Sequence, residues 1–182
     1  RDLRAGTPVT AFRDSIDKAE KAVTALDGRR REIDGFSIAA SDSNLYFTET
    51  IAALLAVAGE ISKASARGDV TVAISAYVAF MQGKERAGQE RATGAAGVSA
   101  GKFDLAGYTR VLGLSAAQNA YFETFELAAA PALASLFRET LAGRTTEDVV
   151  RMRQIIAAGG LTGAMAGIDG KSWFEATTAR ID

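Results

Sequence analysis

The stretch from Val70 to Ser99, VTVAISAYVAFMQGKERAGQERATGAAGVS, decides how the rest of the chain is read. It contains no proline, is rich in alanine, and lacks the sustained apolar-polar alternation that marks a strand. Gly68-Asp69 stands before it and Gly101 after it. The pattern therefore predicts one uninterrupted helix, roughly 45 Å long at a rise of about 1.5 Å per residue. Heptad steps from Val70 fall on Ala73, Tyr77, Phe80, Lys84, Ala87, Arg91, Gly94 and Val98. Four-three steps fall on Ile74, Tyr77, Met81, Lys84, Gly88, Arg91, Ala95 and Val98. Both registers put Lys84 and Arg91 on the packed face, among small residues that leave either a close helix contact or a hole.

The segments on either side read the same way. Upstream, Thr7-Pro8 opens a helix carrying Phe12, Ile16, Ala19, Val23 and Leu26, with Gly28 as its stop. Arg29-Arg30-Arg31 and Asp34-Gly35 read as a solvated turn or interrupted helix. A further helix, capped at Ser41 or Asp42, reaches about Ala66 with Phe47, Ile51, Leu54, Leu55, Ala58 and Ile61 on one face. Downstream, Asp104 caps a helix that bears Tyr108, Val111, Leu112, Phe122 and Phe125. Pro131 forces a bend at Ala130 and starts a helix to Ala142, closed by Gly143. Thr145-Thr146-Glu147 caps a shorter helix, Gly167-Ile168-Asp169-Gly170 marks a turn, and an amphipathic segment runs from Ser172 to the end. Long helices joined by short links lie antiparallel, so the expected fold is all-α: one domain over residues 1–182, an antiparallel four-helix bundle with additional short helices.

Composition narrows the chemistry. The 182 residues include no His and no Cys, which removes Ser-His-Asp and Cys-His nucleophilic sites, thiolate or imidazole zinc sites, His- or Cys-held haem, and Glu-x-x-His di-iron centres. No cofactor is expected. The formal net charge of −1 offers no broad positive field for nucleic acid or an acidic membrane. The longest purely apolar run, Ile51 to Val57, is far short of the ~20 residues of a membrane span, and Arg1-Asp2-Leu3-Arg4 does not open a signal peptide. No paired-acid cleft can be argued from spacing, so an enzyme is not expected.

The two inward cations carry the functional question. A buried unpaired cation costs several kcal/mol, so something negative must meet Lys84 and Arg91. Glu49, Glu60, Glu85, Glu90, Glu123 and Glu126 are available for a salt-bridge network; a small anion in the bundle core is the other solution. In that second case Arg91 supplies a planar fork and Lys84 a compact point charge. Ser115 and Gln118 sit on the stripe of the following helix where apolar residues would be expected, and their donors could complete a shell around the anion or bond across helices. Gln82, Arg86, Gln89, Glu90 and Thr93 read as the solvated face, with Arg86 and Glu90 spaced to pair there.

The run Lys84-Glu85-Arg86-Ala87-Gly88-Gln89-Glu90-Arg91-Ala92-Thr93-Gly94-Ala95, with Gly101-Lys102-Phe103 after it, resembles the central motif of the nitrate- and nitrite-sensing (NIT) domain family. Gln118-Asn119-Ala120-Tyr121 and the closing Gly170-Lys171-Ser172-Trp173-Phe174-Glu175-Ala176-Thr177-Thr178 are similar to that family too. The resemblance runs from about Ile33 to the end. It implies a helical-bundle sensor module, the extracytoplasmic part of a bacterial chemoreceptor or related signalling protein, with two membrane helices flanking this segment. It also implies nitrate or nitrite bound by arginines, here Arg91 and Arg86. The family's early Glu-Arg-Gly-x-Ser motif has as its nearest counterpart Ile33-Asp34-Gly35-Phe36-Ser37, with Asp34 in the arginine's place, where a carboxylate would repel nitrate.

The function expected is therefore a ligand-binding sensor, with Lys84, Arg91, Arg86, Gln118 and Ser115 as binding residues and a shift of helices as the output. A homodimer is the expected assembly, and nucleic acid is not a partner. The other reading is a helical interaction or dimerisation module in which the same cations pair with glutamates.

Overall fold

The computed structural model describes residues 7–182, and every regular element among them is helical. The helices are α1 (Thr7–Thr24), α2 (Leu26–Asp34), α3 (Ala40–Ala64), α4 (Gly68–Ser99), α5 (Leu105–Ala128), α6 (Pro131–Leu141), α7 (Arg144–Gly159) and α8 (Gly170–Ile181). The fold is all-α, a helical bundle with short helices added, as expected. The opening Arg1-Asp2-Leu3-Arg4 lies outside the described residues. Among the described residues, internal contacts gather into two compact units, residues 7–78 and 79–182, with the boundary inside α4.

In the first unit α1 and α3 pack along each other, and the Tyr46 hydroxyl donates to the Ala22 carbonyl across that contact at 2.6 Å. α3 and the start of α4 meet across their link, where the Thr71 hydroxyl donates to the Ser62 carbonyl at 3.4 Å. Gly28 does not stop a helix: it lies inside α2, and the three arginines are helical, Arg29 pairing with Glu32 at 2.8 Å. α3 starts earlier than its serine and aspartate suggest, with Ala39 in the cap position and no side-chain cap. Its buried residues are Thr50, Ala53 and Leu55, while Leu54 and Ile61 stay exposed, so the packed face is rotated from the one expected. By length and composition α3 is the one helix among the described residues that could cross a membrane, although its purely apolar run is short.

The second unit has a core of Val98, Phe103, Val111, Met152, Ile156, Met165 and Trp173. Helix boundaries here follow the local chemistry. Asp104 accepts from the Gly107 amide at 2.7 Å and starts α5; Pro131 occupies the first turn of α6; Gly143, at φ +108°, ends the chain's course after α6 in a conformation closed to most side chains. Thr145 and Thr146 do not cap α7, which begins at Arg144 behind Gly143 with no side-chain cap. Asp169 and Ser172 form a reciprocal capping box that begins α8 two residues before Ser172.

The small residues of α4 turn out to be seats for aromatic rings. A methyl group added to Gly83 would lie 2.6 Å from Cδ1 of Phe122, and one added to Gly94 would lie 2.6 Å from Cζ2 of Trp173. Gly97 receives the Phe103 ring in the same way. Close packing of rings against bare backbone is what fixes α5 and α8 to this helix.

Candidate functional site

The innermost line of α4 is Ala76, Ala79, Gly83, Ala87, Glu90, Gly94 and Val98. It sits about 100° around the helix from the line through Lys84 and Arg91, one residue out of phase. Tyr77, expected inside, is 53% exposed. Glu90, expected on the solvated face and paired with Arg86, is 1% exposed and pairs elsewhere. Lys84 and Arg91 are half-buried, beside the innermost line rather than on it.

Around Glu90 the second unit assembles a polar centre. Arg153 of α7 grips the carboxylate with two hydrogen bonds, Nε to Oε1 at 2.7 Å and Nη2 to Oε2 at 2.6 Å. Gln118 of α5, wholly buried, donates from Nε2 to Glu90 Oε2 at 3.1 Å. Its carbonyl oxygen accepts from Arg153 Nη2 at 2.8 Å and also from Nη1 of Arg180 on α8. Two guanidinium groups thus converge on one amide oxygen with a single carboxylate between them. Burial first, and then the charge of Arg153, push the Arg180 pKa down to about 10, with Glu90 acting in the opposite direction. The Nε of Arg180 is buried with no hydrogen-bond partner among the described residues.

Beside this centre lies a cavity of about 90 Å³, several times what one water needs, lined by Phe80, Lys84, Phe122, Phe137, Thr140 and Arg180 among others. Among the described residues neither Lys84 nor Arg180 forms an ion pair, so two cations meet at this cavity without a counterion in contact. Asp182 also lines it and is exposed, so water screens its charge. Arg91 is held differently. Its Nη1 donates to the Thr178 hydroxyl at 3.0 Å, its guanidinium lies over the Phe174 ring at 4.8 Å, and its carbonyl accepts from Trp173 Nε1 at 3.0 Å.

Of the residues singled out from the sequence, Lys84 faces the cavity and Gln118 organises the polar centre next to it. Ser115 lines a small crevice with Glu90, Arg153 and Trp173. Arg86 is half-buried and donates to the side chains of Gln82 and Gln89; Gln89 in turn donates to Glu85, whose carboxyl is pushed up mainly by burial. Arg153 and Arg180 were not legible as site residues. Each follows an apolar position on a short helix, and nothing in the spacing separates such an arginine from a solvated one. Asp34 is exposed at the end of α2, in the first unit.

A family model for nitrate and nitrite sensing matches residues 1–182. The chain belongs to the nitrate- and nitrite-sensing, or NIT, family. It is also similar to a nitrate regulatory protein of Klebsiella oxytoca, 28% identical over 157 residues, which cover 86% of this chain and 39% of that relative. The NIT chain thus spans about two-fifths of the length of that regulatory protein. No solved structure matches it. Family membership places the chain in nitrate and nitrite sensing for signalling.

Proposed function

We propose that this NIT chain is a sensor module, not an enzyme, that binds nitrate or nitrite in the second unit at the cavity between Lys84 and Arg180. The observation that carries the reading is the uncompensated charge: Glu90 is taken by Arg153, while Lys84, Arg91 and Arg180 have no ion-pair partner among the described residues. An oxyanion in the cavity would supply the missing charge and an acceptor for Arg180 Nε. Because Arg180, Thr177 and Trp173 all belong to α8, binding at Arg180 would be felt along that helix, and the output would be a change in how α8 packs. The family resemblance further supports placing the chain outside the cytoplasm as one sensor domain of a bacterial transmembrane signalling protein, such as a chemotaxis receptor, working as a homodimer and flanked by membrane helices.

Thermal unfolding with added nitrate or nitrite at fixed ionic strength tests this. Ligand at a hundred times its dissociation constant adds about 2.7 kcal/mol, a shift of several degrees. Loss of that shift in Lys84→Ala and Arg180→Ala supports the site. An unfolding curve that does not move with either anion overturns it and leaves the dimerisation module as the reading.

A further inference from the structure

The cavity's walls are uneven in character. The charged residues that line it are Lys84, Arg180 and the exposed Asp182, and one arm of the Arg180 guanidinium is already committed to Gln118. The Thr140 hydroxyl, also at the wall, donates to the Leu136 carbonyl at 2.8 Å. Much of the remaining wall is aromatic: Phe80, Phe122 and Phe137 lie with ring centroids 5.0 to 6.3 Å apart. Resting on the anion-binding reading above, we propose that this wall, positioned by Gly83, selects the anion by its hydration and size. It admits compact, weakly hydrated monoanions and refuses sulfate and phosphate.

The hydration cost of burying an ion rises with the square of its charge, and it is recovered only where donors replace the lost water. A dianion between three phenyl rings finds too few donors. A monoanion that holds its water loosely gives up less on entry, and two cations suffice for it.

Gly83 enters through Phe122. The ring rests on the bare backbone of α4 at Gly83, so a methyl group there must displace it. The ring's other aromatic and cationic neighbours are Phe80, Phe137 and Arg180, at 6.3, 5.0 and 6.0 Å, and all three line the cavity. A displaced ring would therefore press on side chains that themselves line the cavity. Gly83 is a positioning residue: it touches no ligand and sets the room the ligand has.

Calorimetric titration at fixed ionic strength separates the outcomes. The unaltered chain should bind nitrate, nitrite and thiocyanate, and sulfate or phosphate should fail to displace nitrate even at about tenfold excess over it. Gly83→Ala should weaken thiocyanate and nitrate more than nitrite, changing their order by about tenfold, where a merely structural role would weaken all three alike. Should that variant not fold, Phe122→Leu removes the ring and should narrow the preference for nitrate over sulfate. Sulfate or phosphate competing at concentrations comparable to nitrate overturns the selection while leaving the anion site standing. An unchanged anion order in Gly83→Ala, or in Phe122→Leu where that variant replaces it, overturns the role of the wall. No heat with any anion overturns the anion site and this inference together.

Discussion

Arg153 holds the Glu90 carboxylate through both of its oxygens, at 2.7 and 2.6 Å, and the same Nη2 reaches the Gln118 carbonyl at 2.8 Å. That shared nitrogen fixes the amide of Gln118. Its oxygen must face the two guanidinium groups and its NH₂ must face Glu90, because the reverse orientation would set donors against donors. Three helices, α4, α5 and α7, are thereby tied at one point inside the second unit, and Arg180 joins α8 to it. The network is a fully connected ion pair on one side and an excess cation on the other.

Breaking the ion pair should be costly. Glu90→Ala leaves Arg153 and Arg180 facing each other without a counterion, and loss of one partner of a buried pair costs about 3–5 kcal/mol. Glu90→Gln keeps the shape and removes only the charge, so it should cost less. Equilibrium denaturation by urea measures both; a loss below about 1 kcal/mol for Glu90→Ala would mean the pair is open to water.

Arg180 should behave in the opposite sense. Burial and Arg153 already disfavour its charge, so Arg180→Met should leave the ligand-free protein as stable as before or raise its stability by up to about 2 kcal/mol, while the response to nitrate disappears. A guanidinium kept at the expense of stability is the mark of a binding residue. If Arg180→Met unfolds more easily than the parent and still responds to nitrate, the residue is structural.

The sequence made the helices legible because their limits are set locally. Asp104, Pro131, Gly143 and the turn before α8 act through their own backbone and immediate neighbours. The face of α4 was not legible to better than one residue. Its stripe mixes small and charged side chains, and the question of which line is innermost is answered by the rings of Phe122, Trp173 and Phe103, which approach from other parts of the chain. That single step of about 100° hid Glu90, the most buried charge of the helix, and shifted Lys84 and Arg91 to its flanks. Gln118, a polar residue on an otherwise apolar stripe, was visible because its oddity is local. Arg153 and Arg180 were not, since their burial depends on contacts made across dozens of residues.

Gly94 tests how tightly α8 is seated. Trp173 is fully buried against it and donates from Nε1 to the Arg91 carbonyl at 3.0 Å. Gly94→Ala would ordinarily favour a helix, by roughly 1 kcal/mol, but its methyl group falls inside the indole ring. Overpacking of this kind costs about 1–3 kcal/mol, so a net loss is expected, together with a red shift of tryptophan fluorescence as the sole Trp is displaced. A net gain in melting temperature with unchanged fluorescence would show that the ring is free to give way.

The capping box of α8 should make stability depend on pH. The Asp169 carboxyl accepts from the Ser172 amide at 2.7 Å, and that bond, with the Ser172 hydroxyl and then Lys171 helping, holds its pKa below the ordinary 3.8. A carboxyl with a lowered pKa in the folded state contributes stability that is fully present above the unfolded value of 3.8 and is lost as pH falls through the folded one. Asn at the same position still caps a helix but does not titrate. Asp169→Asn should therefore fall slightly below the parent between pH 5 and about pH 7, and the difference between the two melting temperatures should shrink as pH drops below about 3.8. Other carboxyls lower both curves together, so only the difference reports on Asp169. A gap that stays constant from pH 6 to about pH 2.5 would mean that the charged cap contributes nothing to the seating of α8.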